Sequence, residues 1–320
     1  MSEPSTAGRI ILRRVQMSTT AWTLLCESTS ATLGLPAEPT NGAAPLAKAA
    51  TAAGWAELNE LQMSPLPGEV TRQWTGAVAL LLTAPITVTA RGTYNGVSTT
   101  SAVGLRAGRG LAVHQRHVSE QGPAGTTITG SEDSMEITLF NEENVWGAVS
   151  RLLPPLDVVR APAKAGPSNA EPAVVLGAGT DPASLPPEDA NITLSVTTVS
   201  PGLPPRVWSG MWSVQGETLY SVTTRNTASR PENNSENSAV ANTSANGAAP
   251  ELRMTEVPAG HIAHELLFAV VGAHDALAAA EAAAATAPSA AGAATAPSAA
   301  GAAGAAGAAS AAGAAEDGTK

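Results

Sequence analysis

The segment His261-x-x-His264-Glu265 carries the residue types of a hydrolytic zinc site. A zinc-protease helix needs two His at i and i+4 with the Glu between them, so that both rings face one ion and the carboxylate serves as base. Here the His are at i and i+3 and the Glu follows, so the segment reads as surface His on an amphipathic helix. His114 and His117 stand three apart on a predicted strand, which sends them to opposite faces and keeps them off a common ion. Gly177-Ala178-Gly179 follows Val174-Val175-Leu176 as a dinucleotide loop would, but Pro182 occupies the third glycine position and no helical pattern follows. Cys26 follows Leu24-Leu25 on a helix, the setting of a buried thiol and not of a nucleophile. No Ser-His-Asp set can be chosen. The sequence offers no catalytic residue, no metal ligand and no cofactor site.

Composition sets the bounds. A chain of 320 residues suits one large domain or two related halves on one core. Aromatics are only 3% against 43% hydrophobic residues, so Leu, Val, Ile and Ala must do most of the packing. The net charge of -10 and the lack of basic clusters argue against nucleic acid and against anionic membrane. A single cysteine excludes an internal disulfide and fits a reducing compartment. Residues 1–8 are polar, a flexible start without the apolar run of a signal peptide. The apolar stretch Gly76–Leu82 is far short of the roughly 20 residues that span a bilayer. These features point to the cytoplasm without membrane insertion.

The elements that would position any site follow from pattern. Ile10–Val15 reads as a strand, and Ser18 as the cap of a helix carrying Trp22 and Leu25. A second helix starts near Gly54-Trp55. A third runs from about Pro67, with Val70, Trp74, Val78 and Leu81 as its buried stripe, to Pro85. Ile86–Ala90 alternates as a half-buried strand, and Asn95-Gly96 is a hairpin turn because both residues tolerate positive φ. Val97–Leu105 returns, Gly108-Arg109-Gly110 turns the chain into Leu111–Val118, and Met135–Leu139 follows a Gly-rich loop. A helix then starts at Asn141, with Phe140 and Val145 as its staple, and ends at Pro154-Pro155. Residues 161–190 read as a Pro/Ala-rich linker. Strands Ile192–Val199, Val207–Gln215 and Thr218–Thr224 lead to a disordered polar loop, 226–250. Then come Leu252–Thr255 and a helix from Pro258 to about Ala276. Residues 278–320, rich in Ala and Gly, read as a short helical start and a disordered tail.

The order of elements recurs. At an offset of 117, Ile137-Thr138 falls on Met254-Thr255, and Val145, Val149, Leu152 and Leu153 fall on Ile262, Leu266, Ala269 and Val270. The expected fold is α+β: two pseudo-symmetric halves, residues 9–160 and 191–277. Each is an antiparallel β-meander plus a helix, with additional N-terminal helices in the first.

Short motifs carry a resemblance. Gly54-Trp55-Ala56-Glu57-Leu58, the helix into Leu80-Leu81-Leu82 and the Asn95-Gly96 hairpin resemble EspG proteins. So do Leu152-Leu153-Pro154-Pro155 and Glu256-Val257-Pro258-Ala259-Gly260. EspG proteins are cytosolic specificity chaperones of actinobacterial ESX (type VII) secretion. The resemblance covers roughly residues 9–277 and implies an EspG-like two-half fold. It also implies a partner, the apolar tip of a PE–PPE heterodimer kept soluble until export, gripped by the sheet, a projecting hairpin and the C-terminal helices. By position the hairpin is Thr93, Tyr94, Asn95, Gly96, Val97 and Ser98, and the helix is Ala259–Val271 with His261, His264, Leu267 and Phe268. The Asn-rich loop and the Ala/Gly tail depart from the pattern, and the hairpin is short, which makes a small WXG-type substrate the other client. Trp208-Ser209-Gly210 spells W-x-G, the signature of such substrates, but lies in a strand-like segment with Trp212 and reads as a packed aromatic pair. The alternatives are a hydrolase whose pocket gathers His261, His264 and an acid, and a surface adhesin, which would need export.

Overall fold

The structure is a computed structural model that describes residues 13–36, 47–122, 125–163, 174–176, 188–225 and 251–286. It is mixed α+β, built on one ten-stranded antiparallel sheet. The N-terminal strand β1 (Arg13–Met17) is followed by helices α1 (Thr19–Leu33), α2 (Lys48–Glu60) and α3 (Arg72–Leu82). A meander follows: β2 (Ile86–Tyr94), β3 (Val97–Arg106), β4 (Arg109–Gly122) and β5 (Gly125–Asn141). A short helix α4 (Val145–Val149), flanked by 3₁₀ turns, and α5 (Asp157–Arg160) come next. The chain then adds β6 (Val174–Leu176), β7 (Ala190–Thr198), β8 (Arg206–Gln215), β9 (Thr218–Arg225), β10 (Glu251–Val257) and α6 (His261–Thr286).

Strands β2 and β7 meet at the middle of the sheet. From that seam run β3, β4, β5 and β1 to one side and β8, β9, β10 and β6 to the other. Each face has its own core, because side chains alternate across a strand. On the front face Ile86, Val88 and Ala90 of β2 and Ile192, Leu194 and Val196 of β7 pack under α4 and α6. On the back face Leu111, Val113, Met135 and Ile137 pack under α1, α2 and α3. Gly104 permits the closest approach there: an added Cβ would stand 2.6 Å from Leu81 Cα, inside the backbone of α3.

Ser18 caps α1 as expected, its hydroxyl accepting from Ala21 N–H at 3.1 Å. Its own N–H and hydroxyl donate to Glu57 at 2.7 and 2.5 Å, which ties α2 to the start of α1. Gly54 sits where a Cβ would meet Leu24, and Leu58 is fully buried. The Gly54–Leu58 motif therefore performs a structural task.

Several boundaries differ from the sequence reading. The third helix starts at Arg72 and not at Pro67, because Gly68 takes a left-handed turn at φ 90°. The β3–β4 turn is Ala107-Gly108, with φ 51° and 75°, so Arg109 and Gly110 already belong to β4. Gly110 is glycine for another reason: the Phe140 ring of the paired strand lies where its Cβ would be. The Gly-rich loop before Met135 is mostly strand, since β-branched Thr126, Thr127 and Ile128 pair with β4, and Thr129 falls at one of two register shifts in that pairing. Val174–Leu176, inside the stretch read as a linker, pairs with Leu252–Met254 as an edge strand. The final helix runs past Ala276 to Thr286 on alanine propensity. Residues 226–250, most of 161–190 and 287–320 lie outside the described residues, as does Gly177–Gly179.

Candidate functional site

Helix α6 begins after a turn in which Gly260 adopts φ 95° and His261 N–H donates to Pro258 O at 3.1 Å. The Glu256–Gly260 motif is thus the joint that turns β10 into the helix. Ile262, Ala263, Leu266, Val270 and Ala273 face the sheet, and each large buried residue contributes about 1.5–3 kcal/mol. The opposite stripe is His264, Phe268 and Val271. Phe268 is 70% exposed and Val271 58% exposed. The chain has only two Phe, and the other, Phe140, is in the core. A large aromatic left in water on a core-packed helix is the strongest surface signal in the described residues.

The remaining helix residues divide. Leu267 is partly buried against the front core. His261 is a packing residue: its Nδ1 accepts from Trp212 Nε1–H at 3.2 Å, and the two rings meet edge-on at 6.3 Å. Burial holds its pKa below the usual imidazole value, against the raising effect of Glu265. Glu265 Oε1 lies 3.9 Å from His261 Nε2 and 3.7 Å from the exposed His264 Nδ1. With Nδ1 occupied by Trp212, His261 cannot join His264 and Glu265 around an ion through that nitrogen. Among the described residues no group of three or more His, Cys, Asp or Glu side chains is placed to hold a metal. Burial, then Glu27, pushes the Cys26 thiol up to about 12, so it is inert near neutral pH. Trp208 and Trp212 pack at 6.3 Å, the aromatic pair expected of the W-x-G segment. Helix α6 is also long and apolar enough by composition to cross a membrane, but its inner stripe is engaged with the sheet.

The turn Asn95-Gly96 has φ 48° and 71°, the type I′ geometry that suits a two-residue hairpin. Its residues split between faces. Tyr94 packs at the edge of the front core, while Thr93 and Ser98 line a shallow concavity on the back face with His117, Ile128 and Asn191. His114 lies on the front face, so the two histidines diverge as alternation requires. This turn does not project. Ser119 N–H donates to Gly96 O at 3.0 Å, and β4 and β5 run on beyond it, pairing from Ser119 with Ile128 to Gly122 with Gly125. The projecting hairpin is β4–β5, with Val118 and Ile128 exposed near its base. The sequence signal for it was the β-branched run Thr126–Thr129, masked by flanking glycines.

The other resembling motif is structural as well. Leu152 and Leu153 are buried, and the Arg160 guanidinium donates to the carbonyls of Arg151, Leu153 and Pro154, which fixes the Pro154-Pro155 turn. No protein-family model matches the sequence, and no curated protein matches it.

Proposed function

We propose that this chain is an EspG-like cytoplasmic chaperone that holds an apolar segment of a type VII secretion substrate, a PE–PPE-like pair or a small WXG-type protein. The observation that carries the reading is the outward stripe His264, Phe268 and Val271 on α6, with Phe268 exposed on a helix whose opposite side is core. Exposed aromatics of this kind act as anchors when a partner's pocket closes over them. The β4–β5 hairpin supplies the projecting arm, in place of Thr93–Ser98. We take the layout to be a duplicated half. The seam between β2 and β7, the matching order outward from it, and Val145 and Val149 buried as Ile262 and Leu266 are support for that view.

The test is co-expression of the full chain with each candidate client class. A stoichiometric complex burying near the standard 1,600 Å² is expected. Phe268→Asp is expected to weaken it at least about 30-fold, the loss of a hot-spot contact, with the thermal midpoint unchanged. Asn95→Asp keeps the turn type and adds a charge, and is expected to matter little if β4–β5 is the arm. Failure of both client classes to co-purify at low salt sinks the proposal.

A further inference from the structure

A second feature stands apart from α6. On the front face a cavity of about 530 Å³ opens between the Pro154-Pro155 turn and strands β1, β5, β4, β3 and β2. That size suits a small ligand. Its charged lining is Arg14, Arg116, Arg151, Arg160, Glu132 and Glu136. Four cations face two carboxylates, a local excess of two positive charges in a chain of net charge -10. Each Glu already has a cation: Arg14 Nε stands 3.1 Å from Glu136, and Arg116 Nε stands 3.8 Å from Glu132. Arg160 is anchored through neutral carbonyls, which orient its charge without cancelling it. Arg151 has no ion-pair partner among the described residues. The His114 ring also faces the cavity, and its Nδ1 is 2.8 Å from the Ser101 hydroxyl. Tyr94 and Pro154 add an apolar wall.

We propose that this cavity binds a small dianion, a phosphate monoester or a dicarboxylate, whose two negative charges balance the excess. Guanidinium groups match both oxyanions with paired, charge-assisted hydrogen bonds. The inference does not rest on the chaperone reading, since α6 contributes nothing to the cavity lining.

Titration calorimetry on the full chain at low ionic strength tests it, with inorganic phosphate and succinate as probes. At least one probe is expected to bind with a dissociation constant of about 1 mM or tighter, and the tighter probe names the source of the anion. Arg116→Ala and Arg151→Ala are each expected to weaken binding about tenfold, the loss of one charge-assisted bond. Both side chains are largely exposed, so the fold survives, and circular dichroism checks that. Arg91→Ala removes an equal charge on the opposite face and is expected to leave binding unchanged. The proposal is overturned if neither probe binds up to about 10 mM. It is equally overturned if Arg91→Ala weakens binding as much as the cavity variants do, or if the cavity variants bind like the parent.

Discussion

The two ends of the sheet are dressed differently. Strands β1, β5, β4 and β3 carry α1–α3 on the back face and α4 on the front. Strands β7–β10 carry α6 on the front, and no helix among the described residues lies on their back. The side chains explain the difference. Beside α4 both faces of β4 and β5 are apolar: Leu111 and Val113 point back while Ala112 points forward, and Ile137 and Leu139 point back while Phe140 points forward; farther along, their front carries His114, Arg116, Glu132 and Glu136. In β7 the apolar residues Ala190, Ile192, Leu194 and Val196 all face the front, and the back face shows Thr193, Ser195 and Thr197. A sheet with one polar face needs no second layer. Yet Val207 is 64% exposed and Met211 is 42% exposed on that open side. One end of the sheet has helices on both faces, and the other is covered on its front alone and keeps some apolar surface in water.

The largest expected break is at glycine. Gly104→Ala drives a Cβ into the backbone of α3, so the sandwiched end must come apart or shift a whole helix. A loss above about 3 kcal/mol is expected, enough to unfold much of the protein in urea titrations. Gly210→Ala in the other end meets the Trp212 ring and no backbone, so one side chain rather than a helix must give way. Its expected cost is about 1–3 kcal/mol. Equal costs at the two sites would show that the ends are not packed differently.

Next in size is deletion of apolar volume. Leu58 is fully buried under the back face, so Leu58→Ala is expected to cost about 2–5 kcal/mol. Met211→Ala on the open back face is expected to change stability by about 0.5 kcal/mol or less. A large cost at Met211 would mean that chain covers it in solution, and the contrast between the ends would shrink.

These contrasts also explain what could be read beforehand. Alternation revealed β2, β7 and the front core, and Ser18 and Asn95-Gly96 announced their cap and turn through chemistry local to them. The β4–β5 hairpin stayed hidden because Gly122, Gly125 and Gly130 carry turn character that cross-strand pairing overrides. Strand β6 was hidden because three residues hold no period. In the exposed stripe of α6, His264 and Phe268 were named only by position from the resemblance, because Ile262, Leu266, Leu267, Phe268, Val270 and Val271 surround the helix. Spacing alone does not say which side faces the sheet. The charged cavity joins residues from five strands and a turn, a grouping visible only once the strand order is known.

Polar ties differ between the ends by a smaller amount. Glu57 accepts two bonds from Ser18 in a partly buried site, so Glu57→Ala is expected to cost about 1.5–3 kcal/mol. Asp189 accepts from Gly216 N–H at 2.6 Å in an exposed site, where water can replace it, and Asp189→Ala is expected to cost about 1 kcal/mol or less. Chemical denaturation of both variants decides whether the sandwiched end also depends more on its polar contacts.

The smallest effect is in pH. Burial lowers the pKa of His114 in the first end and of His261 in the second. Around His114, Glu136 and Glu132 oppose the shift while Arg116 and His117 reinforce it; around His261, Glu265 opposes and His264 reinforces. A lowered folded value means that the unfolded chain takes up the proton first as pH falls. Stability is therefore full above the ordinary value of about 6.5 and declines as pH drops below it toward the folded pKa. For His261 the geometry agrees, because a proton on Nδ1 would face the Trp212 N–H donor. The thermal midpoint is expected to fall between about pH 7 and about pH 5.5, and His261→Gln, which keeps an acceptor without the charge, is expected to flatten part of that fall. His114→Gln is expected to flatten another part independently, since the two rings lie in different halves of the sheet and share no partner. A double variant whose profile is as steep as the parent's would assign the acid response to carboxylates instead, and the two ends would then be alike in their response to protons.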